Sequence, residues 1–341
     1  MVIFYAIIAL LCLWGFRWRK GTDPDYLSKE QGDAVKGIFI LMVLVSHADG
    51  YISAAGYAYT GFGDSLFKLI QCRFGQLIVV MFLFFSGYGV MSGIQGKGDG
   101  YVRSMPRHRI LGTLLNFDVA VVCFAILGLI TGTVYPLRQY LLSLLAWEGL
   151  GNSHWYIFVI LALYAFSWIS ALLSKSGWWQ VLITTVLTAL LYVLLLHFKD
   201  PQWYNTLIAY PLGILAFLGK KNPDSISRPV YWAALAFAIT CLALTYMHHE
   251  DPYQLVYSLR ALAFTVVMVL LLMRIRVGNP VLSWCGRNLF PIYVYQRLVM
   301  IPLAHYDPFG ITCRAPLLFV LVSCGLSLLI VPLCNRIRIK L

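Results

Sequence analysis

The sequence predicts an all-α fold, a polytopic bundle of about eleven transmembrane helices, and two observations carry that prediction. The first is composition. Of 341 residues, 60% are hydrophobic and only 12% charged, with a mean hydropathy of +0.77, whereas soluble domains carry about a quarter charged residues. The second is a succession of apolar runs long enough to cross about 30 Å of hydrocarbon. They fall near residues 2–16, 35–53, 74–94, 110–132, 154–174, 177–198, 203–219, 229–248, 254–273, 285–304 and 314–334. No connection between them is long enough to fold by itself, and there is no internal repeat, so any chemistry is built from the helices and their short loops.

The first run lacks a basic leader and a small-residue cleavage site, so it reads as a retained helix rather than a signal peptide. Its basic flank, Arg17, Arg19 and Lys20, follows it. Positive charge stays in the cytoplasm, which puts the N-terminus outside. Alternation from there places Lys97, Arg103, Arg107 and Arg109 inside, then Lys175, then Lys220, Lys221 and Arg228, then Arg274 and Arg276, and last Arg336, Arg338 and Lys340. The outer connections hold only Lys68, Arg73, Arg138, Lys199 and Arg314. The expectation is a multi-pass cell-membrane protein with its N-terminus outside and its C-terminus cytoplasmic. The net charge of +12 follows from this bias and from attraction to anionic lipid, and calls for no nucleic acid. Eight scattered cysteines show no metal spacing. Cys72 and Cys313 alone fall in outer connections, where a disulfide is open to them.

The second run carries the central candidate. Lys36 and His47 are eleven positions apart, which on an α-helix is a rotation of about 1100°, roughly three turns, and an advance of about 16 Å. They share a face, and an ionisable group inside a membrane helix is a functional candidate by default. Asp49 is turned away from His47 by about 200°, while Asp33 is one turn from Lys36 and suited to pair with it. Asp118, inside the fourth run, reads either as a catalytic carboxylate or as the partner of an arginine. Arg260 and Arg297 each lie within an apolar run. Each either snorkels or pairs, or lines a site, Arg297 being one turn after Tyr293. The aromatic pairs Trp178-Trp179, Trp203-Tyr204 and Tyr231-Trp232 sit at helix ends, as an interfacial belt requires. Ser86-Gly87 and Gly89 permit close approach of a backbone or of a ligand chain.

Four motifs in order carry a family resemblance. The stretch Asp33-Ala-Val-Lys36-Gly37 followed by His47 resembles the signature helix of the acyltransferase-3 family of integral-membrane acyltransferases. Phe84-Phe85-Ser86-Gly87-Tyr88 resembles its aromatic-Ser-Gly-aromatic element, Trp155-Tyr156-Ile157 its Trp-aromatic-aliphatic element, and Gly286 to Tyr293 its late Gly-x-x-Ser-aromatic-x-Ile-Tyr element. The chain departs from the pattern at Lys36, where the family usually has arginine, at Asn288 in place of serine, and at Gln296 in place of a histidine. Ser153 holds the family's usual histidine position and His154 follows it.

The resemblance implies a ten-helix acyltransferase-like domain over 33–341, preceded by one extra N-terminal helix within 1–20. It implies O-acyl transfer, with acetyl the expected group, from cytoplasmic acyl-coenzyme A, a co-substrate with no permanently bound cofactor or metal. The implied acceptor is a hydroxyl of a cell-surface polysaccharide or its lipid-linked precursor. His47 is then the catalytic base. Lys36 and Asp33 belong to the donor site, to which the basic cluster Arg103, Arg107 and Arg109 contributes unless it serves topology alone. Trp155, Arg260, Tyr293 and Arg297 are candidates for the acceptor site. A rival reading from another class is a transporter or flippase that uses His47 for proton coupling. A glycan polymerase would need a long outer loop with arginines, which the sequence lacks.

Overall fold

The computed structural model describes residues 1–220, 226–248 and 252–341, and Lys221 falls outside these. The chain opens with α1 (Ile3–Leu13) and a two-residue strand β1 (Arg17–Trp18), then α2 (Lys29–Ala54), α3 (Phe62–Phe74) and α4 (Leu77–Met105). A π-helical turn over Pro106–Leu111 runs into α5 (Gly112–Ile130), followed by α6 (Leu137–Ser143), α7 (Trp155–Leu173), α8 (Gly177–Phe198), α9 (Ala209–Gly219), α10 (Arg228–Met247) and α11 (Leu255–Leu272). A second short strand, β2 (Ile275–Arg276), leads to α12 (Pro280–Arg287), α13 (Leu289–Tyr295), α14 (Arg297–Tyr306), α15 (Ile311–Arg314), α16 (Pro316–Leu329) and α17 (Val331–Arg336).

The molecule is a polytopic helical membrane protein. Among the described residues seven helical stretches are long and apolar enough to cross a membrane, and one of them, Phe62–Ile130, contains both the third and fourth expected runs. Leu129, Leu190, Phe237 and Leu329 are each more than 60% exposed, as a lipid-facing surface requires. Two expected spans are shorter than read from the sequence. α1 and α9 have 11 residues each, which at 1.5 Å per residue is about 16 Å. The expected helix at 285–304 is a correction of another kind, because it is broken at Asn288 and again at Gln296. Pro291 explains the first break, since its ring excludes the carbonyl of the residue four before it, Arg287, from the helical ladder. The strands, which hydropathy did not predict, pair antiparallel, Arg17 with Arg276 and Trp18 with Ile275. They tie the segment after α1 to the segment before α12.

α2 is the central helix. The Ser28 hydroxyl accepts from the Gln31 amide at its N-terminus, 3.3 Å, and most of its middle is buried. It packs on α1, α4, α12 and α16. Its approach to α12 is backbone on backbone: a Cβ added to Gly37 would overlap the Leu282 carbonyl, and one added to Gly286 would overlap that of Asp33. α4 and α9 cross in the same way, with Gly87 against the Tyr210 carbonyl and Gly213 against that of Phe84. Small residues allow such approach in lipid, where packing rather than water drives association. Gly37, Gly87 and Gly286 all belong to the motifs read from the sequence, so those motifs fix helix crossings as well as chemistry.

Candidate active site

The crossing of α2 and α12 brings the Lys36 end of α2 beside Arg287. Around them lies a cavity of about 670 Å³ whose wall includes, among the described residues, Lys29, Lys36, Arg109, Lys220 and Arg287 as its cations and Asp33 as its only carboxylate. Lys36 Nζ is 2.8 Å from Asp33 Oδ1 and its side chain keeps 26% exposure, so the local pair expected from the sequence forms while the ammonium still faces the cavity. Arg109 stands 5.6 Å from the Tyr164 ring centre. Ser86 and Gly89 border the same space, and nothing lies within 4 Å of where a Gly89 side chain would begin. Five cations against one carboxylate suit a polyanion. Lys36 reaches it as a point charge, without the forked contact a guanidinium would make.

One shared face further along α2, His47 lines a second cavity of about 390 Å³ with Gln76, Asn152, Ser153, His154, Trp155, Gln202, Tyr293 and Arg297. No carboxylate borders it. Buried polar atoms that make no hydrogen bond of good geometry gather here, namely His47 Nδ1, Gln76 Oε1, Asn152 Nδ2, Ser153 Oγ, the Tyr293 hydroxyl and Arg297 Nε, although Tyr293 lies close to Ser153 and Arg297 to Tyr51. Gln296, which neighbours His47, has its Oε1 in the same condition. Each such group left unpaired costs about 1–3 kcal/mol. A cluster of them facing one space is the mark of a polar site rather than of core packing. The two cavities meet across a layer of aromatic rings, in which Tyr156, on the wall of the first, lies 5.4 Å from Tyr293, on the wall of the second. Tyr293 in turn lies 6.3 Å from His47.

A family profile described as an acyltransferase domain, acyltransferase 3, matches residues 31–336. The chain belongs to the acyltransferase 3 family. No curated protein and no solved structure matches it. Family membership makes the protein a membrane acyltransferase, with an acyl donor and an acceptor.

The remaining candidates of this acyltransferase separate on inspection. Trp155, Tyr293 and Arg297 share the His47 cavity, but Arg260 does not join them. Its guanidinium lies 4.5 Å from the Tyr246 ring centre and 5.0 Å from that of Tyr257, and Nη2 donates to the Thr245 carbonyl, 2.8 Å. Arg260 is thus engaged between α10 and α11, the structural role open to an arginine in an apolar run. Of the basic cluster only Arg109 reaches the Lys36 cavity, while Arg103 and Arg107 are exposed. They sit on the outward side of the π-helical turn and its approach. Among the described residues Asp118 has no arginine partner, and its Oδ1 is buried and unpaired. Cys72 and Cys313 are free thiols. Asp49 points away from His47, as its position on the helix required, and receives Lys68 at 2.6 Å and the Tyr59 hydroxyl.

Several site residues escaped the sequence reading. Lys220 reads there only as a topological charge, and Gln76 and Asn152 carry no motif at all. Arg287 had a signal, since it directly follows the motif glycine Gly286 that presses α12 on Asp33. Ser153 and His154 were visible as a displaced histidine position, and both line the His47 cavity.

Proposed function

We propose that this acyltransferase moves an acyl group, acetyl first among the candidates, from cytoplasmic acyl-coenzyme A to a hydroxyl of a cell-surface polysaccharide or its lipid-linked precursor. The cluster of unpartnered polar groups around His47 carries this reading, because it lies on the same face of α2 as a cavity rich in cations. In this reading the phosphates of the donor lie among Lys36, Arg109, Lys220 and Arg287, and the thioester passes the Tyr156 and Tyr293 rings to reach His47. The acceptor oxygen attacks the acyl carbonyl while His47 takes the hydroxyl proton. Negative charge then grows on the carbonyl oxygen, and the Arg297 Nε–H, in a cavity without carboxylates, is suited to receive it. Collapse of the adduct expels the coenzyme A thiolate, which takes the proton from His47. The N-terminal helix within 1–20 is an addition to the acyltransferase domain, and the Lys36 end of the bundle is the cytoplasmic one.

The test uses the purified protein in detergent with labelled acetyl-coenzyme A and de-O-acylated glycan from the source cells. Release of thiol with transfer of label to glycan, both dependent on His47, is the expected result. Salt-sensitive binding of coenzyme A with neither thiol release nor transfer would overturn the donor assignment.

A further inference from the structure

A third cavity, of about 580 Å³, opens beside Trp147 and shares His154 and Gln202 with the His47 cavity. We propose that it is a saccharide subsite, which holds the acceptor sugars adjoining the one acylated at His47. The proposal rests on the transferase reading above and specifies how its acceptor is held.

The two cavities are joined by one stretch of chain, residues 147–155. Its first part, Trp147 to Gly149, lines the third cavity, and its second part, Asn152 to Trp155, lines the His47 cavity. The stretch is fixed at several points. Gln139 Nε2 donates to the Gly149 carbonyl, 2.8 Å, the Leu150 amide to Asn152 Oδ1, 2.8 Å, and Lys199 Nζ to the Trp147 carbonyl, 2.7 Å. Ala146, wholly buried, holds a positive φ of 53° just before Trp147. That conformation costs a side-chain-bearing residue about 1 kcal/mol, and such strain collects where a side chain has to be aimed. Trp147 remains half-buried, with Lys199 Nζ 3.9 Å from its ring centre.

The chemistry of the wall selects the ligand. The cavity around Lys36 gathers five cations and one carboxylate, whereas this one sets Glu148 and Asp200 against Lys199. Burial pulls the Lys199 ammonium below its ordinary value, and Glu148 and Asp200 partly offset this. A polyphosphate would meet two carboxylates here. A neutral, hydroxyl-rich ligand finds carboxylates and the Gln139 and Gln202 amides for its hydroxyls, and the open part of the Trp147 indole, beside Lys199, for its C–H groups. It also finds a direct continuation to the place where one hydroxyl is to react.

The experiment uses the full chain in detergent with labelled acetyl-coenzyme A. The acceptor is the polysaccharide of the source cells, de-O-acylated and cut by mild acid into monosaccharide, disaccharide and longer fractions. Wild type is expected to prefer longer fractions. Trp147→Ala and Glu148→Gln are expected to raise the KM for the longest fraction about tenfold, a loss of one binding contact, with a smaller change on the monosaccharide fraction and in kcat. Glu148→Gln keeps the shape of the wall, so its behaviour stands even if Trp147→Ala misfolds. Wild-type KM for every fraction in Glu148→Gln, or no length preference in wild type, would overturn the subsite while leaving the transferase reading intact. No transfer by wild type to any fraction would remove the glycan-acceptor reading and the subsite with it.

Discussion

At the scale of single residues, the proposed reaction is divided between His47 and Lys36. His47→Ala is expected to insert and fold normally, because the side chain is only partly buried at the wall of a cavity. Its kcat should fall about 100- to 10,000-fold, or roughly 3–5 kcal/mol, the range a general base supplies. Wild-type turnover in a well-expressed His47→Ala protein would remove the assignment. In the proposed reaction Lys36 acts by charge, so Lys36→Arg should keep most activity, while Lys36→Gln should raise the KM for acyl-coenzyme A by about tenfold with a smaller loss at saturating donor. Steady-state kinetics at varied donor decide this, and an unchanged donor KM in Lys36→Gln would take the residue out of the donor site. The placement of these two groups was legible in the sequence because both stand on one helix, where eleven residues close three turns. Arg260 and Arg297 were not separable there. Each is an arginine in an apolar run, and what distinguishes them is contact with α10 in one case and with the His47 cavity in the other.

At the scale of elements, the glycines of the motifs divide into those that permit a crossing and those that leave space. Gly87 faces the Tyr210 carbonyl, whereas Gly89, on the same helix, faces open space beside the Lys36 cavity. Gly87→Ala should therefore force α4 and α9 apart, at a cost of about 1–3 kcal/mol or more from overpacking, read as a lower melting temperature and poorer recovery in detergent. Gly89→Leu should leave melting nearly unchanged and instead weaken donor binding by filling the cavity. Equal melting temperatures for Gly87→Ala and wild type would contradict the crossing, and wild-type donor KM in Gly89→Leu would place the donor elsewhere. The same logic applies to Gly37 and Gly286, which set α2 against α12. The break at Asn288 that ends α12 was foreshadowed by Pro291, but hydropathy alone bridged it, since the apolar composition continues across the break.

At the scale of the whole molecule, the proposed orientation rests on the distribution of lysine and arginine, and it has a direct test. Cys72 and Cys313 are exposed free thiols, and both belong to connections assigned to the outside. Variants retaining either one alone should react with a membrane-impermeant maleimide on cells whose membrane is intact. Labelling that appears only after that membrane is permeabilised would reverse the orientation and exchange the donor and acceptor ends.

Length, composition and helical period by themselves determined that the chain is a membrane helical bundle, and that Lys36 and His47 face one way while Asp49 faces another. These are properties of neighbouring residues within a few turns, and a helix repeats them faithfully. Only the tertiary structure decided which distant side chains complete each cavity: Lys220 and Arg287 with Lys36, and Gln76, Asn152, Ser153 and Arg297 with His47. It also decided that α1 and α9 are short and that the helix after Pro280 is broken. The reason is physical. A cavity is made where helices from remote parts of the chain cross, and the crossings depend on pairs such as Gly286 against the Asp33 carbonyl, in which neither partner reveals the other in the sequence.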